Sequence, residues 1–78
     1  MIKNSVIRID SLSDVYAFIK EASKVYGDVI IKRGKFVIDA KSIMGVFSID
    51  MSNEVTISYP EDAVEFDKFL DKFKIYTE

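Results

Sequence analysis

A serine near the middle of the chain is the most informative of the few residues that could do chemistry. Ser42 precedes a short apolar run in which Ile43, Met44 and Phe47 have spacings that share one side of a helix. Serine is a favoured N-cap residue, so we expect its hydroxyl beside the free N–H groups of the first turn. Those N–H groups and the helix dipole favour an anion, such as a phosphate on Ser42. The alternative is that Ser42 only caps the helix and that the apolar residues belong to the core.

Two residue types that carry much of protein chemistry are missing, because the sequence contains no histidine and no cysteine. Without an imidazole there is no common catalytic triad and no histidine-based zinc site. Without a thiol there is no disulfide and no thiolate metal site. We therefore expect a protein that is not an enzyme and that carries no cofactor or metal.

The composition is typical of an ordinary globular domain. The 78 residues are 49% apolar and 31% charged, with a net charge of -2, so we expect one domain over residues 1–78. The acidic balance disfavours nucleic acid as a partner, and no apolar run is long enough to cross a membrane. Residues 1–10 lack the apolar region and cleavage site of a signal peptide, so a cytoplasmic location is expected.

The elements that must position Ser42 follow from hydrophobic periodicity. Alternating or β-rich runs predict four strands, and apolar residues at helical spacing predict two longer helices beside the short one. A sheet with helices on one face gives an α+β domain of two layers. The predicted strands are residues 5–9, 28–32, 36–39 and 54–59, and the predicted helices are residues 15–25, 42–48 and 60–73.

Two groups of charged residues have a functional and a plainer interpretation. Lys32, Arg33 and Lys35 could bind phosphate, but a solvated hairpin tip is favoured because the cluster is short and isolated. Paired acids such as Asp67 and Asp71 on the last helix could act as general acid and base. An outward, solvated helix face of mixed charge is favoured there.

The segment from Ala40 to Ser48 resembles the regulatory-serine segment of HPr, the small phosphocarrier of the bacterial sugar phosphotransferase system. The string Lys-Ser-Ile-Met-Gly that begins at Lys41 is rare, and residues 20–24, 28–29 and 54–58 extend the resemblance along the chain. The resemblance implies an open-faced β-sandwich. Its four-stranded antiparallel sheet has the order 1-4-2-3 and is covered on one face by helices.

The sequence departs from this family at the phosphohistidine loop. The positions that match the family's histidine, arginine and proline hold Ser11, Ser13 and Asp14. A serine phosphoester is stable and does not pass its phosphoryl group onward as phosphohistidine does, and Asp14 would repel the incoming phosphate. The resemblance therefore implies an HPr-like protein that has lost phosphocarrier activity.

The regulatory half of the family's chemistry remains. In HPr proteins a dedicated kinase phosphorylates the serine that matches Ser42, and residues matching Tyr16, Ile43, Met44 and Phe47 meet partners. The Crh-like branch of the family also lacks the histidine and keeps this serine. That branch retains the arginine that is Ser13 here, which weakens the case for a corepressor role.

The resemblance implies protein partners: HPr kinase, a phosphotransferase-system protein or transcriptional regulator, or a second copy of the chain. Lys41 is adjacent to Ser42 and could help screen a phosphate there. Three functions stay open: a regulatory module switched by phosphate on Ser42, a constitutive binding domain, and a phosphoryl acceptor that uses Ser11. The missing histidine and arginine disfavour the third.

Overall fold

The computed structural model describes residues 1–75 of the chain and places one four-stranded antiparallel sheet beside a layer of helices. The strand order is β1-β4-β2-β3, as the family resemblance predicts. The strands are β1 (Ile2–Ile7), β2 (Ile30–Arg33), β3 (Phe36–Asp39) and β4 (Val55–Pro60). The helices are α1 (Leu12–Ser23), α2 (Ile43–Phe47) and α3 (Val64–Leu70), and a 3₁₀ turn, Asp71–Phe73, follows α3.

The core lies between the sheet and helices α1 and α3. β4 occupies a central position, and its alternation turns Val55, Ile57 and Tyr59 inward, where all three are buried. The apolar stripe of α1 is buried as the periodicity predicts. It consists of Val15, Phe18, Ile19 and Ala22. Phe66 and Leu70 of α3 complete the layer, and the Phe66 ring contacts both Phe18 and Tyr59.

The structure corrects several predicted boundaries. β1 begins at Ile2 and ends at Ile7, three residues earlier at its start than the alternation predicted. α3 begins at Val64, because Pro60 is the last residue of β4 and pairs with Ile2 of β1. β2 begins opposite Ser58, so no strand lies opposite the Pro60 nitrogen, which has no proton to donate.

The β2–β3 hairpin closes through two residues, Gly34 and Lys35. Gly34 has a φ of 57°, a conformation that glycine adopts without strain and that two-residue hairpin turns require. Among residues 1–75, no helix has the length and apolar character needed to cross a membrane.

Candidate functional site

Ser42 is the N-cap of α2, and its side chain makes the predicted capping bond. Its backbone is extended, with φ of -94° and ψ of 111°, and its Oγ accepts a hydrogen bond from the Gly45 N–H at 3.2 Å. At the other end of the helix, the Ser48 hydroxyl donates to the Gly45 carbonyl at 2.6 Å. Ser42 is exposed, so its hydroxyl is accessible from solvent.

A glycine lies inside this short helix because α2 lies very close to β3. A Cβ at Gly45 would lie 2.8 Å from Cγ2 of Ile38, closer than real Cβ contacts. Glycine ordinarily weakens a helix, but here it permits the close contact. The approach to Ile38 and the burial of Val46 hold α2 against the domain.

The apolar residues of α2 divide between core and surface. Val46 is fully buried, whereas Ile43, Met44 and Phe47 are 55%, 84% and 41% exposed. The alternative that the latter three belong to the core is therefore wrong. Tyr16 of α1 is also exposed, and its ring centroid lies 5.2 Å from that of Phe47. We call these four exposed residues the apolar patch.

The sequence interpretation missed Leu12, which extends the surface around the patch. Leu12 lies four residues before Tyr16 on α1, a spacing that places both on one side of a helix, and it is 62% exposed. Leu12 and Phe47 also line a shallow depression of about 290 Å³ that reaches Ser11. The i, i+4 spacing is the signal that could have identified this residue.

The Lys41 side chain makes hydrogen bonds to the backbone of another part of the chain. Its ammonium donates to the carbonyls of Val25 and Gly27, at 2.8 and 2.7 Å. These carbonyls lie just beyond the end of α1, so Lys41 ties the start of α2 to the α1–β2 connection. The Lys41 ammonium is thus engaged with backbone carbonyls, and screening of a phosphate on Ser42 stays a prediction.

The three residues that the resemblance matches to the phosphohistidine loop, Ser11, Ser13 and Asp14, lie together at the start of α1. Ser11 is the N-cap residue, but its side chain makes no capping bond. Instead, the hydroxyls of Ser11 and Ser13 share a hydrogen bond at 2.9 Å, and Asp14 lies in the first turn. The hydrogen-bond partner of the Ser11 hydroxyl is therefore another hydroxyl and not a general base, which disfavours nucleophilic chemistry at Ser11.

A charge cluster around Asp67 of α3 was missed by the sequence interpretation. Asp67 was predicted on the solvated face of the last helix, but it is half-buried and accepts three hydrogen bonds. The donors are the Lys74 ammonium at 2.8 Å, the Tyr59 hydroxyl at 2.5 Å and the Lys3 ammonium at 2.9 Å. We call Lys3, Tyr59, Asp67 and Lys74 the Asp67 cluster.

The hydrogen bonds and burial within the Asp67 cluster shift the pKa values of its members. Hydrogen bonds from Lys74, Tyr59 and Lys3 hold the pKa of Asp67 well below its usual range. The Asp67 and Asp71 carboxylates raise the pKa of Lys74. Burial, followed by the bond to Asp67, raises the pKa of Tyr59. The cluster joins β1, β4, α3 and the segment after the 3₁₀ turn, so it ties together parts of the domain that are distant in the chain.

The capping bond of Ser42 gives a direct stability prediction. Replacing Ser42 with alanine removes the acceptor for the Gly45 N–H and should lower the free energy of unfolding by about 1 kcal/mol. Urea unfolding of both proteins, monitored by circular dichroism, measures this difference. Ser42→Asp is a matched control, since aspartate at an N-cap also accepts a hydrogen bond from the first turn. An equal loss in both variants would contradict a specific capping role.

The architecture defines the class of protein to which this chain is similar: an α+β domain with an open-faced sheet and a capped short helix bearing an exposed apolar patch. No protein-family model and no curated protein matches the sequence. Solved structures do match, and they are HPr phosphocarrier proteins.

The matches extend over nearly the whole chain. The HPr of Bacillus anthracis strain Ames is 23% identical with a TM-score of 0.70, over 95% of this chain and 98% of that one. HPr-C-His from Thermoanaerobacter tengcongensis is 26% identical with a TM-score of 0.71, over 90% and 88%. The histidine-containing phosphocarrier protein of Mycoplasma is 23% identical with a TM-score of 0.66, over 92% and 89%. The chain therefore has the HPr fold.

Proposed function

We propose that this protein is an HPr-like regulatory module related to the bacterial phosphotransferase system, which binds protein partners and is switched by phosphorylation of Ser42. The observation that carries the proposal is the position of the Ser42 hydroxyl. It is exposed, at a helix N-cap, and the adjoining residues are the exposed apolar residues of α2. The partners fitting this proposal are HPr kinase and a phosphotransferase-system protein or transcriptional regulator.

The physical basis of the switch is a change in the character of the apolar patch. A phosphate adds a charge of about -1.5 to -2 and three acceptor oxygens. At Ser42 it would lie beside Ile43 and Met44, so an apolar surface would acquire an anionic rim. Such a rim attracts basic partners and repels acidic ones, which changes partner choice. Phosphorylation by HPr kinase, with Ser42→Ala as control, tests the proposal.

The chemistry of the Ser11 region supports a module without phosphocarrier activity. The sequence has no histidine, and the Ser11 and Ser13 hydroxyls bond to each other. When the protein is incubated with Enzyme I and labelled phosphoenolpyruvate, it should therefore acquire no acid-labile phosphoryl group. The acceptor role of Ser11 is the alternative that this assay addresses.

A constitutive binding domain is the second candidate, and the same patch favours it. In that case Ser42 only caps α2, and Tyr16, Ile43, Met44 and Phe47 bind a partner or a second copy without modification. The two candidates differ in whether HPr kinase and ATP phosphorylate the protein.

The exposure of Met44 separates binding from folding in a single variant. Met44 is 84% exposed, so Met44→Asp should change the free energy of unfolding by less than about 0.5 kcal/mol. The added carboxylate should weaken binding through the patch, including any self-association measured by analytical ultracentrifugation. Val64→Asp is a matched control on α3, because Val64 is also exposed and lies outside the patch. Unfolding of the Met44→Asp protein would mean that the patch is misassigned.

A further inference from the structure

The β2–β3 hairpin carries a cationic surface that the proposed function does not use. Among residues 1–75, no carboxylate lies within ion-pair distance of Lys32, Arg33 or Lys35. The Arg33 guanidinium donates to the Asp50 carbonyl at 3.3 Å, and the Asp50 carboxylate, which lies nearby, partly offsets the charge of Arg33. Lys32 and Lys35 have no such neighbour among residues 1–75, and they give the hairpin a local positive charge.

An apolar groove lies directly beside this cationic hairpin. It has a volume of about 730 Å³ and lies between the hairpin and the segment that follows α2. Phe36, Ile38 and Ile49 supply its apolar lining, and the Phe36 side chain is 67% exposed. Arg33 and Lys35 stand at its margin. Asp50 also lines the groove, so it combines an apolar floor with two basic residues and one acidic residue, and its net charge is positive.

The backbone of β3 provides a third feature, because β3 is at the edge of the sheet. In a two-residue hairpin, Arg33 and Phe36 form the hydrogen-bonded pair, so the N–H and C=O of Val37 point away from β2. The bond from Ala40 N–H to the Val29 carbonyl continues the same register. The outward Asp39 carbonyl accepts from the Ser42 N–H, which leaves Val37 and the Asp39 N–H for an added strand.

We propose that an extended segment of a partner protein, with acidic residues alternating with apolar ones, binds as a fifth strand along β3. Its backbone pairs with Val37, and an apolar side chain enters the groove beside Phe36 and Ile38. Because side chains alternate along a strand, its acidic residues face the open side of the sheet, where Lys32 lies across from Val37. The positive charge of the hairpin favours an acidic partner segment over a second copy of this chain. A second copy would bring its own cationic hairpin to the edge, and the like charges would repel.

The proposal does not depend on Ser42 or on the apolar patch. Its residues belong to β2, β3 and the segment after α2, whereas the patch belongs to α1 and the exposed side of α2. A variant of the β3 edge should therefore leave phosphorylation of Ser42 unchanged.

The probe is the peptide acetyl-Glu-Val-Glu-Ile-Glu-Val-Glu-amide, titrated into the labelled full chain and followed by amide chemical shifts. Shifts should concentrate on residues 32–39 and on Ile49. The same peptide with every Glu replaced by Lys should bind about tenfold more weakly, and so should the acidic peptide methylated on its central amide nitrogen.

Variants of the protein test the same contacts from the protein side. Lys32→Glu should weaken binding of the acidic peptide about tenfold, because Lys32 lies across from Val37 on the side that the acidic residues face. Lys20→Glu, the same charge change on α1, should leave binding unchanged. Val37→Pro removes an outward N–H that an edge strand does not need for folding, and it should weaken binding similarly. If Val37→Pro does not fold, the methylated peptide measures the same backbone contact.

Several results would overturn the proposal. They are an absence of shifts at millimolar peptide, shifts confined to the apolar patch, or equal binding of the Glu and Lys peptides. Self-association of the free protein that Val37→Pro abolishes would assign the edge to a second copy instead.

Discussion

Replacing Asp67 with alanine is expected to lower the free energy of unfolding by about 3 kcal/mol at neutral pH, because it removes a carboxylate that accepts three hydrogen bonds. Two of the donors are ammonium groups, and hydrogen bonds to charged groups contribute more than neutral ones. Lys74 has a side chain only 14% exposed, so it would lose its main partner in a place where water replaces it poorly. For a domain of this size, we expect the melting temperature to fall by about 15 °C.

The pH dependence of this loss follows from the pKa directions. Asp67 has a folded pKa below its usual 3.8, so its contribution to stability is present above that value and is lost as the pH falls through the folded pKa. Lys74 has a folded pKa above its usual 10.5, so its contribution is present below that value and is lost at higher pH. Both contributions are complete near neutral pH. The difference between wild type and Asp67→Ala should therefore shrink in acid below about pH 4.

Urea unfolding of both proteins at pH 7 and pH 3 measures this prediction. Asp71→Ala is the matched control, because Asp71 also lies 2.8 Å from the Lys74 ammonium but its side chain is 58% exposed. An exposed ion pair contributes little, so the control should cost less than about 1 kcal/mol. A difference for Asp67→Ala as small as that of the control, or one that does not change with pH, would be inconsistent with the cluster as described.

Local patterns in the sequence predicted much of the fold. The apolar spacing of α1 is confirmed residue by residue from Val15 to Ala22, because burial of one helix face follows directly from a period of 3.6 residues. The α+β class follows in the same way, and the resemblance supplied the strand order that periodicity alone left open. The Ser42 cap was also predictable, since it depends on residues three apart in the chain.

Contacts between distant residues set the limit of that prediction. Lys3 lies 64 positions from Asp67, and Lys41 lies 16 positions from Val25, so no local pattern reveals either contact. The periodicity placed Asp67 on the outer face, but its position beside the inner stripe brings it within reach of Tyr59. The prediction that Pro60 begins the last helix was wrong for a related reason. Proline suits the first turn of a helix, but it also suits the end of a strand where the neighbouring strand, here β2, does not reach its nitrogen.

A second large effect is expected on phosphorylation of Ser42. Incubation with HPr kinase and ATP should convert all of the protein molecules to a singly phosphorylated form. The Lys-Ser-Ile-Met-Gly string is intact, the hydroxyl is exposed, and α2 presents it at a helix N-cap. The fold should survive, because a negative charge at that end of a helix is favourable and only one bond, from the Gly45 N–H, changes its acceptor. Lys41 should keep its bonds to Val25 and Gly27.

The structural consequence of phosphorylation should be confined to the patch. Amide shifts should change for α2 and for Tyr16, whose ring contacts Phe47, while the Asp67 cluster stays unchanged. The free energy of unfolding should change by less than about 1 kcal/mol. Self-association or partner binding through Met44 should change on modification, which separates a switch from a passive phosphate.

Intact-mass measurement after incubation with HPr kinase and ATP tests the central claim most directly. The wild-type protein should gain one phosphoryl group, and Ser42→Ala, treated identically, should gain none. Ser48→Ala is a second control, because Ser48 is at the opposite end of α2 and should leave the mass gain intact. An ordinary HPr that is fully modified in the same reaction establishes that the kinase is active. No mass gain on the wild-type protein under those conditions would contradict the phosphorylation switch and leave the constitutive binding domain as the better account.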